Sequence, residues 1–527
     1  MTMRQFIAIF ILLVGQLRSQ PLPQWSSSIG SNLPYYFADE PKIKFDNVGD
    51  LVVCGNIMTG SNGMNMLLIK YSASGSLIWL KTYNGLNNKD DQLFDFVFDS
   101  QNNIYVTGKT TISTNNSDVI SIKFDSGGNF IWQNTFNGYC NRNDEGQSIT
   151  IDNSNNTYII GTTELDSSGW SRKLFLRKID PSGTTLWSKR YGNDSSARCN
   201  AMQIKYVNSE VRTISYQTLP NRYIAMNINP NGTYIFTNEA PFIKGMSSTF
   251  IDKSGNYYFG AMGAYKTTKI NSTGTLAWID SVGTNLPTNV TGDEVRAIVV
   301  DTLLNIYTTG RHYGAANTNC DILTLKYSPS GSIQWSKRYD YLGANACDIG
   351  NSICLDSLLN VFVGGESNQT TLANYDYVVV KYTNGGNQVG TIRYDDPMLK
   401  DDAISSVAVD KSGCIYVTGL TMDNLSTTNT TTQKYCTMTA INETLKDKTI
   451  INVFPNPFAT ETTIILANSD ENIFSLKLYN TTGQVVYEQL YSGTTLKINL
   501  THLSSGLYHF VIKSASRQHQ GKLVKQD

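Results

Sequence analysis

The chain reads DTLLNIYTTG at residues 301–310 and DILTLKYSPSGSIQW at residues 321–335. Closely similar sequences occur as DSQNNIYVTG at 99–108 with DVISIKFDSGGNFIW at 118–132, and as DSLLNVFVGG at 356–365. Eight copies follow one another at a spacing of about 53 residues. A repeat of this length predicts a fold assembled from identical supersecondary units, in which recurring residues are structural.

Each repeat divides into four short strands. The first alternates towards an Asp, as in 295–301, and the second is apolar and β-branched, as in 306–310. The third strand ends in an I/L-K-Y sequence, and a turn containing Gly leads to a fourth strand that carries Trp335. Four antiparallel strands per unit, without any long helical periodicity, predict an all-β fold of the β-propeller type.

The copies predict eight blades, with seven as the alternative. The turn acid or its equivalent occurs at Asp46, Asp99, Asp152, Asn208, Asp252, Asp301, Asp356 and Asp410. Seven remains open because the stretch from Asn208 to Tyr234 is degenerate and lacks the Trp. The last copy also lacks a fourth strand, whereas QWSSSIG at 24–30 matches QWSKRY at 334–339. We therefore expect the two ends of the repeat region to pair in one blade and close the ring.

These repeats resemble the SBBP-type β-propeller repeat of exported bacterial proteins. The resemblance rests on the D-x-x-(G/N)-N-I-Y-V-T-G, I-K-Y and G-x-x-x-W sequences and spans roughly residues 24 to 436. It implies a propeller domain over 20–436 and says almost nothing about activity, because one propeller scaffold hosts many functions.

The first residues predict export. Arg4 and the short apolar stretch 6–14 are typical of a secretory signal peptide, which we place at 1–19. No later apolar run is long enough to predict a transmembrane segment. Residues 437–449 form a polar linker before a second module at 450–527.

The second module has its own pattern. It reads PNPF at 455–458, LYNTTGQVVYE at 478–488, LSSGLYHFVI at 503–512 and KLVK at 522–525. Alternation around the NTTG turn predicts a β-hairpin, and about six or seven short strands predict a small sandwich.

This module resembles the type A C-terminal sorting domain of type IX secretion. The resemblance implies that the outer-membrane translocon reads the tail, which is usually removed, and that the cargo is then secreted or linked to surface lipopolysaccharide. The alternative is a domain that only stabilises the chain. The residues that the resemblance assigns to the sorting signal are Pro455, Asn456, Pro457, Gly483, Gly506, Tyr508, Lys522, Leu523 and Lys525.

Composition limits the partners. A net charge of -1, with 16% charged residues, provides no basic surface for nucleic acid. Eight cysteines in an exported chain allow 105 pairings. We predict a disulfide between Cys414 and Cys436, on adjacent strands of the last repeat, with buried thiols as the alternative.

Acidic residues recur six to eight positions before the turn Asp. They begin the first strand of each blade, so radial repetition predicts a ring of carboxylates near one mouth of the central channel, where oxygen ligands could hold Ca²⁺. Alternatively, each carboxylate caps its own turn or pairs with a nearby Lys or Arg. These residues are Asp39, Glu40, Asp90, Asp91, Asp144, Glu145, Asp293, Glu294, Asp348, Asp401 and Asp402.

Two aromatic residues stand in variable loops. Trp170 and Tyr313 are candidates for contact with a glycan or protein ligand, and folding back onto the blade edge is the alternative. A catalytic serine set is not indicated, because DSGG at 125–128 aligns with the turns of other repeats and His312 has no identifiable partner.

The sequence thus favours an exported surface or extracellular protein that binds a ligand and is not an enzyme. One alternative is a secreted polysaccharide-active enzyme, which would need two carboxylates converging across a cleft. The other is a passive structural protein of the cell surface.

Overall fold

The computed structural model describes residues 23–30, 41–58, 63–85, 87–138, 140–166, 171–191, 198–218, 221–240, 247–263, 265–282, 292–313, 320–341, 347–368, 375–394, 401–422, 428–436, 450–467, 473–480, 484–493, 495–513 and 518–526. These residues form strands and turns without a helix, which confirms the all-β class. By its contacts the chain divides into two compact units, residues 1–441 and 442–527, with the boundary inside the predicted linker.

Eight four-stranded antiparallel sheets lie within the described part of the first unit. Blade 1 is β2 (Lys42–Phe45), β3 (Leu51–Met58), β4 (Met64–Tyr71) and β5 (Leu77–Tyr83). Blade 2 is β6 (Asp91–Phe98), β7 (Ile104–Ser113), β8 (Asn116–Phe124) and β9 (Phe130–Phe136). Blade 3 is β10 (Asp144–Ile151), β11 (Thr157–Glu164), β12 (Arg172–Ile179) and β13 (Thr185–Tyr191). Blade 4 is β14 (Arg198–Val207), β15 (Glu210–Thr218), β16 (Arg222–Ile228) and β17 (Tyr234–Ala240).

The remaining blades follow the same order. Blade 5 is β18 (Thr249–Ile251), β19 (Tyr257–Gly260), β20 (Tyr265–Ile270) and β21 (Leu276–Val282). Blade 6 is β22 (Glu294–Val300), β23 (Ile306–Tyr313), β24 (Cys320–Tyr327) and β25 (Ile333–Tyr339). Blade 7 is β26 (Asp348–Leu355), β27 (Val361–Asn368), β28 (Tyr375–Tyr382) and β29 (Gln388–Tyr394). Blade 8 is β30 (Asp402–Val409), β31 (Ile415–Met422), β32 (Thr428–Tyr435) and, from the start of the chain, β1 (Trp25–Gly30).

Each blade packs its apolar face on the next. Among the described residues, one buried cluster joins each pair of successive sheets, such as Tyr105 and Val119 of blade 2 with Ile149 and Phe175 of blade 3. The last cluster joins blade 8 to blade 1. The sheets therefore form a closed propeller, and burial between sheets is what holds successive blades together.

The recurring Asp closes the turn between strands one and two. In blade 2, Asp99 Oδ1 accepts the backbone N–H groups of Gln101 and Asn103 at 2.9 Å. Its Oδ2 accepts the Asn103 amide at 2.8 Å and the Tyr105 hydroxyl at 3.2 Å. The same bonds recur at Asp152 and Asp301. These bonds account for the recurrence of Asp by turn structure alone.

The recurring Trp connects the outer edges of neighbouring blades. Trp132 Nε1 donates to the carbonyl of Pro181 at 3.0 Å, in the turn between strands three and four of the next blade. The indole ring covers Gly183, where a β-carbon would lie 2.9 Å from ring atoms and φ is +91°. Only Gly has no β-carbon to clash with the ring and also adopts this positive φ without strain. Further Trp–Gly pairs of this kind are Trp79–Gly128, Trp278–Gly331 and Trp335–Gly386.

Blade 7 departs from this rule for a clear reason. Gly390 occupies the Trp position, opposite Lys381. Blade 8 has no turn between strands three and four, because its fourth strand comes from the start of the chain. Blade 7 therefore lacks the Trp because blade 8 lacks the turn that this Trp would cover.

The two ends of the propeller pair as the repeat pattern predicts. β1 runs antiparallel to β32, from Trp25 opposite Lys434 to Gly30 opposite Asn429. The Trp25 ring leaves no room for a β-carbon at Gly75 of blade 1, so it makes the inter-blade contact of blade 8. Cys414 and Cys436 form a disulfide within the same blade.

The second unit is a two-layer β structure. One sheet has the order β33 (Ile450–Phe454), β34 (Glu461–Ala467), β37 (Thr495–Asn499). The other has the order β36 (Val485–Ser492), β35 (Ile473–Tyr479), β38 (Gly506–Lys513), β39 (Gln518–Lys525). One apolar cluster, with Ile464, Leu476 and Phe510 fully or almost fully buried, draws residues from both sheets, as expected of a small sandwich.

Candidate functional site

The two faces of the propeller are built differently. Turns between strands three and four are five residues long in all seven blades that have one, from 72–76 to 383–387. Turns between strands one and two have five residues in seven of eight blades. On the opposite face, the connections range from two residues at 114–115 to eleven at 283–293. We call the first the constant-turn face and the second the variable-loop face; only the second differs widely from blade to blade.

The residues of the predicted acidic ring begin on the variable-loop face, where the described members make separate local contacts. Asp91 and Asp144 are fully buried, and each accepts a backbone N–H of the preceding connection, from Gly85 and Gly138, at 2.5 Å. Asp348 accepts the N–H of Tyr341 at 2.9 Å. These bonds agree with local capping, the alternative to a shared calcium ring.

Other members of the set make separate contacts. Asp90 accepts the N–H of Met64 at 2.8 Å, and Glu145 lies 3.1 Å from Lys109. Glu294 pairs with Arg296 at 2.9 Å. Asp401 accepts the N–H of a residue in blade 7, and Asp402 is buried. Asp39 and Glu40 lie outside the described residues.

Burial changes the acidity of these carboxyl groups. Desolvation raises the pKa of Asp144 to about 6, with smaller contributions from Asp118 and Glu164. Desolvation also raises the pKa of Asp348 to about 6 and that of Asp91 above its ordinary value. Near neutral pH, buried carboxyl groups of this kind are costly to ionise and attract protons or cations.

An Asp–His pair lies on the variable-loop face of blade 6. Asp293 Oδ2 is 3.0 Å from His312 Nδ1, and Asp293 Oδ1 accepts the N–H of Tyr313 at 2.7 Å. The Tyr313 ring lies against Gly292 and leaves no room for a β-carbon there. Tyr313, one of the two aromatic candidates, is therefore half-buried at the end of β23, whereas Trp170 lies outside the described residues.

A second tyrosine lies near Tyr313. Tyr375 begins β28 of blade 7, and its N–H donates to Asp401 at 3.1 Å. Burial raises the pKa of Tyr375, and the charges of Glu366 and Asp401 and the Tyr313 hydroxyl add to the effect. We call His312, Tyr313, Glu366 and Tyr375 the blade 6–7 rim. The rim combines two half-buried rings with carboxylate and imidazole groups, a set suited to polar ligands with an apolar face.

In the tail, the two ends of the predicted sorting signal come together. Asn456 Nδ2 donates to the carbonyl of Lys522 at 3.0 Å, and Asn456 Oδ1 accepts the N–H of Val524 at 2.8 Å. The Phe458 N–H donates to the carbonyl of Val524 at 2.9 Å. Pro455, Asn456 and Pro457 are exposed beside the last strand.

The other signal residues divide into core and surface. Leu523 is fully buried, and Tyr508 is nearly so, with its hydroxyl donating to the Ser504 carbonyl at 2.7 Å. Gly506 begins β38 opposite Lys525, and Lys522 is exposed. Gly483 lies outside the described residues. Leu523 and Tyr508 thus hold the last strand in the sandwich, while the Pro-Asn-Pro segment and Lys522 form its exposed strip.

Comparison with known proteins identifies the tail. Residues 452–526 match the family model described as the secretion system C-terminal sorting domain. No curated protein matches the chain. Among the described residues, none forms a helix that could cross a membrane.

Solved structures resemble the chain in fold alone. PorZ, a surface component of the type-IX secretion system of Porphyromonas gingivalis, has 12% identity and a TM-score of 0.37, with 92% of this chain and 74% of PorZ covered. The WD40 domain of SCAP from fission yeast has 8% identity and a TM-score of 0.44, with 79% and 99% covered. A puromycin hydrolase has 10% identity and a TM-score of 0.45, with 75% and 60% covered.

The family match shows that the protein is exported. A propeller of at least eight described sheets precedes a tail whose two signal ends are joined by Asn456. The tail is a type IX C-terminal sorting domain, handled by the type IX secretion machinery, and it directs the protein across the outer membrane to the cell surface or the medium.

Proposed function

We propose that the chain is an SBBP-type propeller that binds carbohydrate on its variable-loop face after export, without catalysis. The contrast between five-residue turns on one face and connections of two to eleven residues on the other supports this proposal. Variation concentrated on one face is typical of a scaffold that presents a binding surface.

The blade 6–7 rim is the proposed contact. The rings of Tyr313 and Tyr375 offer apolar surfaces on which a sugar ring can stack. Glu366 and His312 supply acceptors and a donor for hydroxyl groups. His312 is held by Asp293 at 3.0 Å, so that its orientation is fixed before a ligand arrives.

Binding to a glycan array, followed by calorimetry with the bound glycan, tests the proposal. We expect Tyr313→Ala and Tyr375→Ala each to weaken binding about tenfold or more, as for aromatic anchors. Tyr234→Ala is the matched control, because Tyr234 is 47% exposed on the outer strand of blade 4.

Three outcomes would contradict the proposal. Depletion of a polysaccharide with turnover would favour the enzymatic alternative, for which the Asp293–His312 pair would supply an oriented base. Binding of a protein but no glycan would assign another class of ligand. Absence of any binding would leave the passive structural role.

For the tail, we propose that Asn456 positions the terminal strand for the translocon and that the tail is then removed, with the cargo released or linked to lipopolysaccharide. Asn456→Ala loses both bonds to the last strand, worth about 1 kcal/mol each. We expect the exported fraction to fall several-fold, with protein accumulating in the periplasm.

Immunoblots of the periplasm, cell surface and medium measure this effect, and the mass of the exported form reports tail removal. Asn480→Ala is the control, since Asn480 caps the turn after β35 through the N–H of Gln484 at 2.9 Å, away from the last strand. Equal export of Asn456→Ala and the unaltered chain would refute the positioning role.

A further inference from the structure

Three carboxylates meet between blades 6 and 7. Asp321 is the second residue of β24, Asp340 follows β25, and Asp348 begins β26. One oxygen of each lies within 4.8 Å of the others. A second disulfide, which the sequence did not predict, joins Cys320 to Cys347 and so ties together the residues directly before Asp321 and Asp348.

Asp321 is buried without the hydrogen bonds that a carboxylate requires. The residue is 0% exposed, and its Oδ1 accepts no hydrogen bond among the described residues. The guanidinium of Arg338 approaches Oδ2, so Oδ1 is left with no donor in the described part of the chain. An isolated buried carboxylate oxygen costs several kcal/mol unless a charge or proton compensates it.

The other two carboxylates are only partly satisfied. Asp348 accepts the N–H of Tyr341 at 2.9 Å and the hydroxyl of Ser367. Asp340 Oδ1 is buried and accepts no hydrogen bond among the described residues. Among the described residues, Asp321 Oδ1 and Asp340 Oδ1 therefore have no hydrogen-bond donor.

Neighbouring charges leave an excess of negative charge. Arg338 is the one cation paired with the three carboxylates in the described part of the chain. Arg393 also lies near Asp348 but forms its own ion pair with Asp376. Three carboxylates and one guanidinium leave two negative charges uncompensated, which is the charge that one divalent cation would balance.

We propose that Asp321, Asp340 and Asp348 bind one Ca²⁺ ion. Ca²⁺ takes oxygen ligands at about 2.3–2.6 Å, so ligands on opposite sides of the ion are about 4.6–5.2 Å apart. Three oxygens within 4.8 Å of one another fit inside that sphere. Mg²⁺ usually binds through one or two carboxylates with several waters, so a group of three protein carboxylates favours Ca²⁺. The inference does not depend on the carbohydrate-binding proposal.

The repeat provides a natural comparison. The equivalent positions between blades 2 and 3 are Asp118, Asn137 and Asp144. Asn137 replaces the third carboxylate, and this junction therefore has two carboxylates in place of three. A change at Asp118 removes a carboxylate from the equivalent strand position without touching the proposed site.

The test is calorimetric titration of the full chain with CaCl₂ after EDTA treatment. We expect one Ca²⁺ per chain and a higher melting temperature with Ca²⁺, reversed by EDTA. Asp321→Asn and Asp340→Asn should each weaken binding at least about tenfold. Asp118→Asn should bind as the unaltered chain does.

Several results would overturn the assignment. These are no Ca²⁺ uptake by the folded chain, equal binding by Asp340→Asn, or equal affinity for Mg²⁺. Asp340→Asn is decisive if Asp321→Asn fails to fold, because Asp340 is only half-buried. Circular dichroism of each variant verifies that it is folded.

Discussion

Replacing Trp25 with alanine is expected to lower the free energy of unfolding by about 3 kcal/mol, the lower end for loss of a packed Trp. Trp25 lies 5.3 Å from Tyr71 and 6.0 Å from Tyr416, between ring centroids, and covers Gly75. These contacts fasten the first strand to both blades that it joins. Their loss allows β1 to leave β32, which then exposes an unpaired edge and invites association between chains.

Trp79→Ala is the matched control for this prediction. Trp79 covers Gly128 of the next blade as Trp25 covers Gly75, and it also donates to the Ser126 carbonyl at 3.3 Å, but its strand β5 is joined to β4 by the five-residue turn 72–76. β1 has no such turn to β32, because the two strands come from opposite ends of the propeller sequence. We therefore expect Trp79→Ala to cost about 1–2 kcal/mol, within the usual range for a point substitution, and to leave the chain monomeric.

Urea denaturation followed by circular dichroism measures both losses, and light scattering measures association. Limited proteolysis should cut Trp25→Ala, and not Trp79→Ala, within residues 25–30. Equal destabilisation by the two changes would show that ring closure does not depend on Trp25.

The closing strand shows what the repeat pattern predicts well. The alternation around Trp25 copies that of the fourth strands, and in the structure Trp25 lies opposite Lys434 just as Trp335 lies opposite Lys326. Strand order and turn positions within the blades follow from such local patterns, because every propeller strand except β1 pairs with a neighbour in sequence. The all-β propeller could be predicted for this reason, whereas the sandwich followed from its alternating pattern alone, since β34 pairs with β37 and β35 with β38.

The direction of the acidic side chains could not be predicted in this way. A β-bulge interrupts the first strand of most blades, as between Leu93 and Asp95 in blade 2. A bulge shifts by one residue which side chains face a given side. Residues before it, such as Asp91, are thus buried, and Asp91 accepts the N–H of Gly85, although the repeat alone suggested a shared channel mouth.

The equivalent bulge in blade 6 is the reason that the partner of His312 could not be predicted. A regular hairpin would place Glu294 opposite His312, whereas the bulge between Val295 and Ala297 places it opposite Arg311. Asp293 is thereby brought beside His312, 19 residues later in the chain. The hydrogen bond from Asn456 to Lys522 joins residues 66 positions apart. It could not be predicted either, because no local pattern links two such distant segments.

The second large prediction concerns Asp144, the buried carboxyl of blade 3. Its pKa is raised from 3.8 to about 6, chiefly by burial, so the folded chain binds this proton more tightly than the unfolded chain. The contribution of Asp144 to stability is thus fully present below about pH 4 and is lost as the pH rises through about 6. Asp144→Asn, which stays neutral, should therefore raise the free energy of unfolding at pH 7.5 and change it little at pH 4.

The rise of the Asp144 pKa from 3.8 to about 6 corresponds to about 3 kcal/mol, which we reduce to about 1–2 kcal/mol for solvent screening. The carboxamide oxygen introduced by Asp144→Asn can still accept the N–H of Gly138, so the expected gain is not offset by the loss of that hydrogen bond. Urea denaturation at pH 4 and pH 7.5 measures the difference between the two conditions.

Asp152→Asn, in the same blade, is the control with the opposite expectation. Asp152 accepts two backbone N–H groups, the Asn156 amide and the Tyr158 hydroxyl. These donors stabilise the carboxylate within the turn. We expect this change to lower the free energy of unfolding by about 1–2 kcal/mol at pH 7.5. If Asp144→Asn destabilised the chain to the same degree at that pH, Asp144 would be ionised and stabilised by its surroundings, and the buried carboxyls of the other blades would have to be interpreted in the same way.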